Sequence, residues 1–477
     1  MNRIQSNHWL LCLSILFLSS CGGIQKLAVP SGADTVVNLP GKKVRLTQDQ
    51  LNQWSYVDLA KDTVPGISLM QAYDFVKDKT GETVIVAVAD TGLDVDHEDL
   101  KNQLWRNDKE IAGNGKDDDN NGYIDDLHGW NYLGDTYKEN LEITRMVRMY
   151  QDKFGRRTAE QIPAAQKEEF NRFKALEADV SEQFKNARSK HYYDLSFNAR
   201  GADAGAAYIF ETPAYGNGDV NVSQTGESHG SHVAGIIGAQ RANGKGMDGI
   251  AANVKIMSLR MVPDGDEYDK DVAMAIRYAA DNGAKVVNTS FGKGYSPKKD
   301  WVYEAIKYAA EKDVLIVNAA GNSGANIDVE KTFPNDAPDL INEVADNVLT
   351  VGALSPTYSE KMVARFSNYG KLNVDVFAPG VQVYSTVPDG DYGRKSGTSM
   401  AAPTAAGVAA LVRSYYPQLS ASQVKRILMN SGTKVDMEVI KPGTKSDKIA
   451  FSELSVSGRI LNAHNALMMA DKMVNKK

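Results

Sequence analysis

The 477-residue chain carries 54 basic and 60 acidic side chains, a formal charge of −6, and is 42% hydrophobic. That is ample for a large core, and nothing in an acidic balance argues for a nucleic-acid surface. Only two cysteines occur, Cys12 and Cys21, which leaves no disulfide framework and no thiol nucleophile in the folded region.

At the N-terminus Arg3 precedes the apolar run Trp9 to Leu18. The run is too short to span a bilayer as a mature helix but fits a secretory signal over residues 1–20. Leu18-Ser19-Ser20-Cys21 resembles a bacterial lipobox, which implies that Cys21 becomes a lipidated first residue and anchors the chain to a membrane of the cell envelope. Residues 21–53 follow as a tether, small, polar and aperiodic to about Leu51, with Pro30, Gly32, Pro40 and Gly41.

From Trp54 an apolar pattern opens the folded region, 54–477, and leads into a helix over Ser68 to Val76. Thr83 to Ala89 is a continuous β-branched and small apolar run, the pattern of a strand buried on both faces in a parallel sheet. It delivers Asp90-Thr91-Gly92, a carboxylate at the strand's C-terminal end, where such sheets bind ligands. An Asx turn ending a strand would read the same way. Downstream, Asp117, Asp119, Asn121, Gly122 and Asp125 have the spacing of a calcium loop, with oxygen ligands at alternate residues around a glycine turn. The twelfth position is His128 rather than a bidentate glutamate, so a solvated acidic turn is the competing reading.

Residues 137–226 differ in composition. Ile143, Met146, Val147, Tyr150 and Phe154 recur at helical spacing, as do Phe170, Phe173, Leu176, Val180 and Phe184. Pro163 is placed to open the second helix, which predicts a helical hairpin packed on itself or on the main domain. A glycine-rich loop, 201–226, follows. His229-Gly230-Ser231-His232-Val233-Ala234-Gly235 then opens a small-residue helix. No acidic third ligand is close in sequence, which argues against zinc. Further buried strands are expected over Val254 to Leu259, Ala284 to Thr289 and Val314 to Asn322, the last ending in Ala320-Gly321-Asn322, whose terminal amide is by itself equally a plain turn former. Others follow near Val348 to Val351 and Val374 to Phe377. Gly397-Thr398-Ser399-Met400-Ala401-Ala402-Pro403 is a turn into an apolar helix: Gly397 permits the turn, and Pro403 lies near enough to the helix start to cost little. Alone, it is equally a strand-to-helix turn with a capping serine. Helices over Ser422 to Met429 and Ala463 to Met473 complete the chain.

Together, the segments around Asp90, His229, Asn322 and Ser399 resemble, in that order, the four motifs of the subtilisin-like serine proteases (subtilases). The resemblance covers the chain from about Trp54 onward, apart from 137–226. It implies an α/β fold in three layers, a doubly wound, mostly parallel sheet with helices on both faces, here with a helical-hairpin insertion. It further implies that Ser399 is a nucleophile, His229 its base, Asp90 the group orienting the imidazole, and His232 structural. Asn322 would complete an oxyanion hole, and Ser290-Phe291-Gly292 would line a cleft for an extended peptide. No cofactor is expected for the chemistry, with Ca²⁺ as a structural ion. Two departures stand out: 138 residues separate Asp90 from His229, and only a short tether precedes the domain where most secreted relatives carry a folding propeptide.

The expected function is a lipid-anchored, broad-specificity serine endopeptidase outside the cytoplasm, with proteins or peptides as substrates. The alternative is a silent pseudoprotease that only captures peptides. An α/β-hydrolase esterase is disfavoured because Ser399 lacks the G-x-S-x-G context and the triad order differs.

Overall fold

Alternation along one strand separates two layers of core. In the computed structural model, which describes residues 36–41, 45–200, 216–222 and 226–475, the strand Val84–Asp90 turns Val84, Val86 and Val88 into one apolar cluster. Ala87 and Ala89 of the same strand enter another. Both faces are therefore buried, as a run without polar alternation requires.

In chain order the strands are β1 (Val36–Val37), β2 (Val84–Asp90), β3 (Gly129–Asn131), β4 (Val254–Arg260), β5 (Val286–Thr289), β6 (Leu315–Ala319) and β7 (Val348–Leu354). They continue as β8 (Val376–Pro379), β9 (Val383–Val387), β10 (Asp391–Lys395), β11 (Thr433–Val435), β12 (Glu438–Ile440), β13 (Lys448–Ala450) and β14 (Arg459–Ile460). The helices are α1 (Gln48–Gln53), α2 (Leu59–Asp62), α3 (Leu69–Val76), α4 (Glu142–Phe154), α5 (Lys167–Asn186) and α6 (His229–Gly238). After them come α7 (Asp269–Asp281), α8 (Lys299–Glu311), α9 (Thr398–Tyr415), α10 (Ala421–Ser431) and α11 (Ala463–Val474).

Ten strands form one sheet in the order β1-β11-β14-β8-β7-β6-β5-β2-β4-β3. Its pairs are parallel apart from β11 with β14. Helices α3, α6, α9, α10 and α11 pack on one face and α7 and α8 on the other, giving the expected three-layer, doubly wound α/β architecture. Among the described residues no helix is long and apolar enough to cross a membrane.

The stretch read as tether is more ordered than its composition suggests. Val36 and Val37 pair in parallel with Lys434 and Val435, and Tyr358 Oη donates to the Val37 carbonyl. The helix α1 starts on a capping box, in which Thr47 and Gln50 satisfy each other's backbone N–H groups. Arg394 of β10 then ties Gln48 and Asn52 to the domain. A two-residue strand is shorter than any period, and so left no trace in the pattern. The signal segment and Cys21 lie outside the described residues.

The hairpin insertion packs on itself. Ile143, Val147, Phe154, Phe170, Phe173 and Val180 share a separate cluster, and each fully buried side chain of this size contributes about 1.5–3 kcal/mol. Pro163 precedes the short turn Ala164–Gln166 that leads into α5. Phe184 departs from the expected stripe: it is exposed near the end of α5, with the Lys190 ammonium over its ring.

Candidate active site

Because β2, β5 and β6 are neighbouring parallel strands, their C-terminal ends lie along one edge of the sheet. That edge gathers Asp90 at the end of β2, Ser290 just past β5 and Asn322 just past β6. His229 begins α6. Its successor Gly230 sits directly against the Gly92 carbonyl, where any Cβ would collide, so the helix start comes within bonding reach of β2. The Gly230 N–H donates to Thr91 Oγ1 at 3.1 Å.

The His229 imidazole bonds through Nδ1 to Asp90 Oδ1 at 2.7 Å, and the Thr91 N–H donates to the same oxygen at 2.8 Å. Asp90 is 1% exposed, and its Oδ2 has no partner among the described residues. Burial by itself would lower the imidazole pKa; the Asp90 charge and hydrogen bond outweigh it and hold His229 above the ordinary value of 6.5. Among the described residues Nε2 has no hydrogen-bond partner, and the ring is one-third exposed. His232 is the opposite case. Fully buried, its Nε2 donates toward the Val383 and Gly393 carbonyls at 3.1 Å, and burial pushes it down to about 3. Its burial among carbonyl acceptors keeps this imidazole neutral.

Ser399 is the second residue of α9. Its hydroxyl donates to the Ser290 carbonyl at 3.1 Å, while Ser290 Oγ donates back to the Ser399 carbonyl at 3.0 Å. Two expectations about this turn need correction. Gly397 has φ 162°, extended backbone open to any residue, and a Cβ there would meet Asn322 only at ordinary contact distance. And α9 begins at Thr398, so Pro403 lies past the first turn. The N–H it lacks is the one that would have reached the Ser399 carbonyl four residues back, and Ser290 takes up that acceptor instead.

Asn322 is exposed, with Oδ1 accepting from the Thr398 N–H at 2.9 Å and from Thr398 Oγ1 at 3.0 Å. A backbone N–H can only donate, so the atom facing it is the carbonyl oxygen and the Asn322 NH₂ is turned away from Thr398. Thr398 also accepts from the Gly321 N–H, which locks this amide to the start of α9. Sequence reasoning assigned no part to Thr91 or Thr398; both stood inside the motifs, and only their hydroxyl contacts reveal a role.

The strip Ser290-Phe291-Gly292 emerges beside Ser399 with Gly292 exposed. Among the described residues neither Phe291 nor Gly292 makes a backbone hydrogen bond, which leaves a short free edge.

The acidic loop differs from its predicted ligand set. Asp117 and Asp119 do converge, but with Glu110: one oxygen of each lies within 4.8 Å of the others. Asn121 instead donates its amide to Asp126, and both Asp125 oxygens accept from the backbone of Asn114 and Gly115. His128 bonds the Trp105 carbonyl. Glu110 was not foreseen because it precedes the loop and belongs to no alternate-residue spacing.

Residues 81–448 match the Subtilase family of peptidases, and the chain belongs to that family. The cell wall-associated protease of Bacillus subtilis (strain 168) is 39% identical over 224 residues, 47% of this chain and 23% of that protein. Subtilisin DY of Bacillus licheniformis is 38% identical over 213 residues, 44% of this chain and 72% of its own length. The chain thus spans under a quarter of the first relative and most of the second. A solved protease structure from Pseudoalteromonas arctica PAMC 21717 shares the fold, with TM-score 0.52 and 23% identity over 88% of this chain and 97% of that one.

Proposed function

We propose that this chain is a serine endopeptidase with Ser399 as nucleophile, His229 as base and Asp90 as its orienting carboxylate. The observation that carries it is the Asp90–His229 bond, which commits Nδ1 to Asp90 and leaves Nε2 for the hydroxyl. The Ser399 hydroxyl turns from the Ser290 carbonyl to His229, as catalytic hydrogen bonds often tighten only with substrate bound. His229 Nε2 takes the proton as Oγ attacks the scissile carbonyl, then returns it to the leaving amine; water hydrolyses the acyl ester by the same route. The oxyanion is met by the Asn322 NH₂ and the Ser399 N–H, and such a side-chain donor is worth about 10²–10³ in rate, a figure established on subtilisin. Substrate adds as a strand along Phe291–Gly292, mostly through backbone bonds, which makes for broad side-chain tolerance. Digestion of a complex peptide library, read by mass spectrometry, together with labelling by a serine-directed phosphonate, tests this. No cleavage and no labelling would end the reading and leave peptide capture in its place.

In the same proposal, Cys21 carries a lipid anchor that holds the enzyme outside the cytoplasm, on the strength of the signal and lipobox pattern. Cys21→Ser should move the protein from the membrane fraction to the soluble fraction; unchanged recovery in membranes would count against the anchor.

The group Glu110, Asp117 and Asp119 fits a structural Ca²⁺. Three carboxylates this close repel one another unless a cation or donors screen them. Backbone N–H groups already serve each of them, and Lys109 stands 3.7 Å from Asp119, so the competition is real. Calcium at a hundredfold excess over its Kd should add about 2.7 kcal/mol of stability. The expected result is a lower melting temperature with chelator in wild type and no such drop in Asp119→Ala. Identical melting in all four samples would rule it out.

A further inference from the structure

Buried charges join the insertion to the rest of the chain next to the free strip. Lys293 follows Gly292 directly, and its side chain is 2% exposed. The ammonium bonds Glu142 Oε2 at 2.8 Å, Asp269 Oδ1 at 2.8 Å and the Glu267 carbonyl at 2.6 Å. Glu142 is the first residue of α4, and Asp269 the first of α7. One ammonium therefore ties the strip to the root of the insertion and to the segment that follows β4. On its other side the backbone of Lys293 exchanges two hydrogen bonds with Phe333.

The segment after β4 is spoken for as well. Asp264 donates to the Tyr137 carbonyl and accepts from the Glu139 N–H, and the Asp266 carboxylate accepts from the Glu142 N–H at 2.7 Å. Tyr268 is clasped between the guanidinium groups of Arg145 and Arg200, at 4.0 and 4.2 Å from its ring. Arg200 in turn pairs with Glu139 and Asp271. A surface decoration needs no such joint. A buried pair contributes little net stability over a well-packed apolar one but fixes relative position closely, because breaking it strands a charge.

We propose, building on the endopeptidase reading, that Lys293 and Glu142 are positioning residues for polypeptide substrate: they make the insertion part of the cleft by setting where the Phe291–Gly292 edge lies. Extended substrates then depend on the pair, because they bind along that edge, and small esters, which engage only the acyl-transfer groups, do not. The charges are permanent at working pH. Burial opposes ionisation of Glu142, yet Lys293 and Arg145 hold it down at about 2.

The test compares a fluorogenic hexa-alanine peptide with N-acetyl-alanine methyl ester on the full chain, wild type against Glu142→Gln and Lys293→Met. We expect KM for the hexapeptide to rise about tenfold in each variant while kcat for the ester stays within about twofold. Lys293→Met leaves Asp269 buried without its cation and Glu142 with Arg145 alone, and risks misfolding. Glu142→Gln keeps Lys293 paired with Asp269, so it decides the matter if the other variant does not fold. An unchanged hexapeptide KM, or equal proportional losses on both substrates, would overturn the inference while leaving the hydrolase reading intact. A wild type that turns over neither substrate and takes no phosphonate would overturn both.

Discussion

Replacing Ser399 by alanine is expected to lower kcat on peptide substrates by roughly 10⁶-fold and to abolish phosphonate labelling, with the fold unchanged. The change deletes one hydroxyl from a partly exposed position. The only bond that hydroxyl donates, to the Ser290 carbonyl, contributes about 0.5–1.5 kcal/mol, and the reciprocal bond from Ser290 to the Ser399 carbonyl survives. The melting temperature should therefore hardly move. Residual hydrolysis above background is expected, because the Asn322 amide and the strip remain. Steady-state kinetics beside a melting curve separate the two effects. A Ser399→Ala protein that cleaves within tenfold of wild type would show that the nucleophile lies elsewhere.

Asp90→Asn should cost about 10⁴ in kcat and also displace the pH profile. Asp90 is what holds the His229 pKa above 6.5 against burial, so in wild type the activity limb lies above that value, rising as the imidazole loses its proton. Without the carboxylate only the lowering influence of burial and of Lys395 remains, and the limb should shift to lower pH even as the rate collapses. The stability sign is also fixed. A histidine raised in the folded state stabilises the fold fully below its unfolded pKa, and that contribution fades as pH climbs through the folded value. The gain is thus absent where the enzyme works. A kcat/KM profile from pH 4 to 10 checks this, and a limb that stays in place in Asp90→Asn would refute the role given to Asp90.

The long strands were legible because an uninterrupted β-branched run such as Val84 to Val88 has little other use than a sheet covered on both faces. The site was legible for a different reason. Four short motifs in a fixed order constrain one another, although the residues they carry are up to 309 positions apart, Asp90 to Ser399. What stayed hidden was whatever depends on pairing across distance. β1, β3 and β14 are two or three residues long, below the span over which alternation can register. Pro403 was misplaced because the helix start was read at the wrong residue, and a shift of a few positions changes which carbonyl a missing N–H leaves open. In the acidic loop the spacing was sound, but spacing does not say which oxygens the backbone consumes. Asn121 and Asp125 were consumed, and Glu110 came in from outside. Nor could periodicity announce Lys293, an isolated cation in a glycine-rich turn whose partners Glu142 and Asp269 lie 151 and 24 positions upstream.

The ten-stranded sheet ends in stubs. At one rim β1 offers two residues; at the other β3 offers three, with Asn131 already bridged to Asn217. Rims this short give a foreign strand almost nothing to zip onto, which discourages the edge-to-edge stacking by which sheets polymerise. The free backbone at Phe291–Gly292 lies instead next to Ser290, which bonds Ser399. Under the proposed mechanism, the appetite for another chain is thereby separated from self-association: a visiting strand would be received where it can be cut, and turned away where it could only accumulate.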